Sequence, residues 1–129
     1  MRRSFALLFA ALAATSCSRA ATSDAAPDDL PAEAVAQGLC LAVADSGTDA
    51  AAAVESFARV HSKLHVVARA LQQVDRKAAG RLLVAKQKVE DDFRRRAPAS
   101  ELTPDLRNLM AATDDGWVVL DVTVTPCHA

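Results

Sequence analysis

Apolar side chains recur at alternating spacings of three and four residues between Thr48 and about Arg96, a pattern typical of an amphipathic helix. A single helix of that length would extend about 70 Å, whereas a domain of roughly 100 residues has a radius of gyration near 13 Å. The segment is therefore predicted to fold back on itself. The apolar seam consists of Val54, Phe57, His61, Leu64, Ala68, Leu71, Ala78, Leu82, Ala85 and Val89.

The fold-back is predicted near residues 74–80, because Asp75 falls where the seam requires an apolar side chain. A break at residues 61–63 is the alternative, and it is weaker because the periodicity passes through that point undisturbed. A second apolar row widens the buried stripe, so this helix is expected to contact more than one neighbour. That row is Val60, Val67 and Val74.

A first helix precedes this segment. Pro31 suits its first turn, and Gly47 is available for a left-handed cap at its end. Gly38 lies inside it and would allow another helix to approach closely. Thr48 or Asp49 is predicted to cap the second helix.

The third helix is predicted to end at the arginine run 94–96, for which a solvated helix end is favoured over contact with phosphate headgroups. Residues 103–105, Thr-Pro-Asp, are the clearest start signal of a fourth helix. This helix is predicted to reach about Leu120 and to be followed by an extended arm that carries Cys127. Because apolar and polar residues alternate over 117–125, strand pairing across a dimer is the alternative.

These elements predict an all-α fold, an antiparallel bundle of about four helices over residues 30–129. Cys40 and Cys127 are the two cysteines of this region. In an exported chain such a pair is expected to form a disulfide, which would close the bundle.

Composition and charge disfavour two kinds of binding function for this chain. Aromatic residues make up 4% of a chain that is 51% hydrophobic, which favours close helix packing over an aromatic-lined cavity. The chain has 15 Lys and Arg against 16 Asp and Glu, so nothing in its overall charge favours nucleic acid.

Residues 1–16 have the pattern of an export signal, with Arg2 and Arg3 before an apolar run at 5–14 that is too short to span a bilayer permanently. The next residues, Ala14-Thr15-Ser16-Cys17, resemble the lipobox of bacterial lipoprotein precursors. The resemblance is confined to this N-terminal part of the chain and implies location and anchoring, not activity. It implies that Cys17 is lipidated and becomes the mature N-terminus.

Ala14 stands where that family usually has leucine. Ordinary signal peptidase cleavage after Ala20 or Ala21, which would discard Cys17, is therefore the alternative. Arg2 and Arg3 also resemble a twin-arginine signal, although the general secretory route stays the default. Residues 17–29 are predicted to hold the lipid anchor site and a disordered tether.

No catalytic signature of spaced nucleophile, base or phosphate-binding glycines occurs, and the chain is not expected to be an enzyme. His61 and His65 are the one pair with metal-ligand spacing, since imidazoles at i and i+4 share a helix face. Two ligands are too few for a zinc or copper site, and Glu90, Asp91 or His128 would have to complete it. A structural role for both histidines is favoured.

The sequence thus predicts an exported, lipid-anchored, non-enzymatic envelope protein that presents a helical surface to another envelope protein or to a second copy of itself. A secreted or soluble periplasmic protein is the alternative location. A periplasmic or extracellular metal-binding protein that uses His61 and His65 is the alternative function.

Overall fold

A computed structural model describes residues 29–127 and confirms the all-α fold. Its four helices are α1 (Ala32–Ser46), α2 (Ala50–Val74), α3 (Arg76–Arg95) and α4 (Ala99–Leu120). Residues 1–28 and 128–129 lie outside the described part of the chain. The signal peptide 1–16, the lipidated Cys17 and nearly all of the tether 17–29 therefore stay predictions.

Consecutive helices run antiparallel. In α2 and α3, Phe57 near the start of one contacts Phe93 near the end of the other, with ring centroids 5.4 Å apart. The last residue of α1, Ser46, shares a 2.7 Å hydrogen bond with Thr103 near the start of α4. The start of α1, the turn between α2 and α3, and the end of α4 therefore lie at the same end of the bundle.

The core is built mainly of aliphatic side chains from all four helices, together with Phe57 and Trp117, and its hydrophobic burial is the main favourable term in folding. The predicted second row is partly confirmed: Val60 and Val67 are 2% and 0% exposed, and α2 contacts all three other helices. Two assignments to the buried stripe were wrong, because Val54 of the seam is 43% exposed and Val74 of the second row is 66% exposed. The largest fully buried apolar side chains are Leu39, Leu64, Leu71, Leu82, Leu106 and Leu109.

The predicted fold-back is confirmed, and it occupies one residue. Asp75 is extended, with φ −144°, and separates α2 from α3. Its carboxylate accepts hydrogen bonds from the backbone N–H groups of Lys77 at 2.8 Å and Ala78 at 3.0 Å. The side chain that interrupts the apolar seam is thus the N-cap of the next helix.

The sequence predicted the cap at the start of α2 correctly and the cap at the end of α1 incorrectly. Asp49 caps α2 as expected, since its carboxylate accepts from the backbone N–H of Ala52 at 3.1 Å. The left-handed cap predicted at Gly47 was wrong, because its φ is −81°. A right-handed turn there needs no glycine.

The predicted start of α4 was also wrong, by about one turn. The helix begins at Ala99, and Pro104 lies inside it. Leu102 is 2% exposed and draws the first turn onto the core. Pro104 forfeits the hydrogen bond to the carbonyl of Ser100, a residue exposed to solvent, so water can satisfy that group. The Thr103 hydroxyl contacts Ser46 instead of capping the helix.

The extended arm after Leu120 and its disulfide are confirmed. Val122 and Val124 pack against the core, and the Thr125 N–H donates to Glu33 Oε2 at 3.0 Å. Cys127 is bonded to Cys40, with the two Cα atoms 5.6 Å apart. The arm therefore fastens the end of α4 along α1 and closes the bundle.

Gly38 lies where α1 and α2 approach each other closely. A Cβ atom added at this position would overlap Cγ1 of Val60. The close approach predicted for Gly38 is confirmed, and it depends on the missing side chain.

Candidate functional site

Charge is distributed unevenly around the bundle. α2 and α3 carry ten Lys and Arg against four Asp and Glu, whereas α1 and α4 carry one against six. α2 packs beside α3 and α1 packs beside α4. The bundle therefore has a basic side, formed by α2 and α3, and an acidic side, formed by α1 and α4, although the whole chain is nearly neutral.

His61 and His65 lie on the basic side, where α2 faces α3. Their rings are 5.2 Å apart, edge to face. His61 Nε2 is 2.5 Å from Glu90 Oε1, so the structure brings together one histidine and one of the residues proposed to complete a metal site. Asp91 is directed elsewhere and accepts from Arg94 at 2.7 Å, and His128 lies outside the described residues.

Lys86 and His61 contact the same carboxylate oxygen of Glu90. Its Nζ donates to Glu90 Oε1 at 2.6 Å, and the residue is 4% exposed. Burial raises the pKa of Glu90, but the hydrogen bonds from Lys86 and His61 outweigh it and the pKa lies below its usual range. The Lys86 ammonium also lowers the pKa of His65, as do partial burial and His61. Glu90 is thus an ionised partner of Lys86.

Zinc or copper binding by His61 and His65 stays a prediction. Within residues 29–127 no group of three His, Cys, Asp or Glu side chains is placed to hold a metal ion. A metal ion at Glu90 would have to displace the Lys86 ammonium or lie beside it. Repulsion between the two positive charges opposes metal binding.

A second charged cluster joins α3 to α4. Asp92 is 1% exposed, and its Oδ1 accepts from Arg95 at 2.7 Å, while Oδ2 has no partner among the described residues. Lys88 binds Asp105 of α4 at 2.9 Å. Burial raises the pKa of Asp92, and the neighbouring carboxylate of Asp105 raises it further. Neighbouring carboxylates on a helix diverge around its axis, a pattern that predicts solvated surface for residues 90–92. The prediction is wrong for Asp92, which is buried.

Asp92→Asn is expected to stabilise the fold by about 1 kcal/mol at neutral pH, because it removes a buried charge with one unpartnered oxygen. The folded-state pKa of Asp92 lies above its ordinary value of 3.8, so the cost of the charge is absent in acid and appears as pH rises through that folded-state pKa. Denaturant unfolding across pH should show the two proteins converging in acid.

The matched control is Asp91→Asn, at a neighbouring carboxylate whose side chain is 49% exposed. Its effect should stay within about 0.5 kcal/mol at every pH. An Asp92→Asn protein less stable than wild type at neutral pH would mean that the pairing with Arg95 outweighs the desolvation of the carboxylate.

Two open grooves flank α3. One, of about 530 Å³, lies between α3 and α4, and Val84 in its wall is 72% exposed. The other, of about 420 Å³, lies between α2 and α3 near the turn at Asp75. Both are lined by Gly80, which leaves the surface of α3 shallow at that point.

No helix within residues 29–127 is both long and apolar enough to cross a membrane. A scan against models of protein families gave no match, and searches of curated proteins and of solved structures gave none either.

Proposed function

We propose that this protein is an exported, lipid-anchored, non-enzymatic component of the cell envelope that presents one side of its helical bundle to a partner. The anchor is an acylated Cys17, and residues 17–29 are the tether that joins it to the bundle. The N-terminal pattern supports this, with two arginines, an apolar run and small residues before a cysteine.

The observation that carries the proposal is the disulfide between Cys40 and Cys127. Disulfides of this kind persist in oxidising compartments outside the cytosol. The bond joins the arm to a core helix, so it belongs to the closed fold. It supports export independently of the N-terminal pattern.

The interaction surface is the basic side of the bundle. Exposed cations concentrated on two adjacent helices create a local potential that attracts an anionic partner. The acidic side would repel the same partner, so the asymmetry also orients the molecule. This arrangement supports a binding role.

A non-enzymatic role agrees with the state of the interior charges. Lys86 is held by Glu90, and Asp92 by Arg95. Asp92 has a perturbed pKa, but at 1% exposure it is out of reach of a substrate. Both pairs are structural ion pairs within α3.

Replacing the lipid acceptor tests the anchoring. Wild-type protein should fractionate with membranes, and Cys17→Ala should shift it to the soluble fraction, because no acyl chain can be attached. Ser18→Ala, beside the acceptor, is the matched control and should stay with membranes. Wild-type protein that fractionates entirely as soluble protein would contradict the proposal.

A further inference from the structure

Four cations surround the turn between α2 and α3, and we call them the α2–α3 corner: Arg69, Arg76, Lys77 and Arg81. All four residues are exposed, and within residues 29–127 none of them forms an ion pair. At the opposite end of α3, Arg94 pairs with Asp91 and Arg95 with Asp92 and Glu101, which leaves Arg96 as the one cation of the run 94–96 without an ion pair among the described residues. Charge available to a partner is therefore concentrated at the corner.

The corner has little acidic charge of its own. Asp75 is the single Asp or Glu between residues 64 and 85. Its carboxylate is engaged by the first backbone N–H groups of α3, and the one from Ala78 contributes most to lowering its pKa. Even with Asp75 ionised, the corner keeps a net positive charge.

An apolar side chain projects at the tip of the same turn. Val74 is 66% exposed and directly precedes Asp75 and Arg76. An exposed apolar residue flanked by cations suits the interface of a bilayer, where the apolar group enters the headgroup region and the cations meet phosphates.

The topology places the α2–α3 corner at the end of the bundle from which the N-terminal tether extends. The start of α1 and the α2–α3 turn lie at the same end of the bundle, because consecutive helices are antiparallel. A flexible tether over residues 17–29 would have an end-to-end distance of about 20 Å. A lipid on Cys17 would therefore hold this end of the bundle close to the membrane.

We propose that the α2–α3 corner docks on an anionic phospholipid surface, with its four cations at headgroup phosphates and Val74 in the interface. In this pose the bundle leans on its α2–α3 edge, which keeps carboxylates of the acidic side at the same end, among them Asp114, Asp115 and Asp121, away from the anionic surface. The inference rests on the proposed function for the anchor, whereas the recognition of anionic lipid rests on the corner itself.

The test is amine labelling of the processed protein purified from cells, mixed with protein-free vesicles. One set contains phosphatidylcholine alone, and the other an equal mixture of phosphatidylcholine and phosphatidylglycerol. Lys77 in the corner should be protected on the mixed vesicles and labelled normally on the neutral ones. Lys63 lies in α2, about 18 Å along the helix axis from the turn. It is the internal control and should be labelled equally on both sets of vesicles. High salt should remove the protection of Lys77.

A charge variant confirms the origin of the protection. Arg76→Gln combined with Arg81→Gln should weaken docking by about fivefold for each cation removed. Arg59→Gln, on the outer surface of α2 away from the turn, should leave it unchanged. Both variants change exposed side chains, so the bundle should stay folded.

The outcomes separate failure of the docking from failure of the anchor. An intact mass without an acyl group would reject the anchor alone, and co-sedimentation with the mixed vesicles would then report docking directly. Equal labelling of Lys77 on both vesicle sets would overturn the docking proposal. Protection on native membranes but not on protein-free vesicles would also overturn it, in favour of an acidic protein partner.

Discussion

Cys127→Ser is expected to lower the free energy of unfolding by about 2 to 4 kcal/mol. The disulfide closes a loop between residues 87 positions apart, for which the chain-entropy model gives an upper limit of about 4.6 kcal/mol. The loss should fall below that limit, because Val122 and Val124 already pack the arm against the core. Denaturant unfolding of the oxidised wild type and the variant measures the difference.

The control for this prediction is the double variant Cys40→Ser with Cys127→Ser. It should be no less stable than Cys127→Ser by more than about 0.5 kcal/mol, because both proteins lack the same bond. Before reduction, wild-type protein should show no free thiol at Cys40 or Cys127. Unchanged stability in Cys127→Ser would mean that the arm contributes nothing to the closed bundle.

Gly38→Ala is expected to destabilise the fold by about 1 to 3 kcal/mol, the usual cost of inserting a methyl group into a packed interior. The new Cβ would overlap Val60 Cγ1, and a β-branched side chain in a helix has little freedom to turn away. The overlap should outweigh the gain of up to about 1 kcal/mol from alanine's better helix propensity.

Gly80→Ala is the matched control for this substitution. Gly80 also lies inside a helix, but a Cβ there meets no atom within 4 Å. It should raise stability by about 0.5 to 1 kcal/mol through helix propensity alone. Adding Val60→Ala to Gly38→Ala should relieve the overlap while losing the buried valine. A stabilising effect of Gly38→Ala would contradict the close contact of α1 with α2.

The sequence predicted the number of helices, the fold-back and the extended arm, because these features depend on local periodicity and on cap residues. Asp49 was one of two cap candidates, with Thr48, because both have short polar side chains directly before a helical pattern. The start of α4 was misassigned because the local signal at residues 103–105 competes with the burial of Leu102, a tertiary contact.

The charged groups of the interior were harder to predict. Periodicity alone could have placed Asp92 in the buried stripe, since it follows Ala85 and Val89 at the spacing of the seam. It was assigned to the surface with Glu90 and Asp91 because neighbouring helix positions diverge around the axis. The compensating Arg95 and Lys88 become apparent only in three dimensions.

The contact between His61 and Glu90 also could not be predicted from local sequence patterns. The two residues are 29 positions apart, and their meeting depends on the register of α2 against α3. Glu90 was among the residues proposed to complete a site with His61, but nothing in the sequence indicated that Lys86 would contact the same carboxylate oxygen. The basic side likewise appears only when helix order and charge are considered together.

The intact mass of the mature protein purified from native membranes tests the proposed function most directly. We expect a chain that begins at Cys17, carries an acyl modification, and has lost the two thiol hydrogens of Cys40 and Cys127. An unmodified N-terminus beyond residue 20, with both of those thiols open to alkylation without reductant, would contradict it.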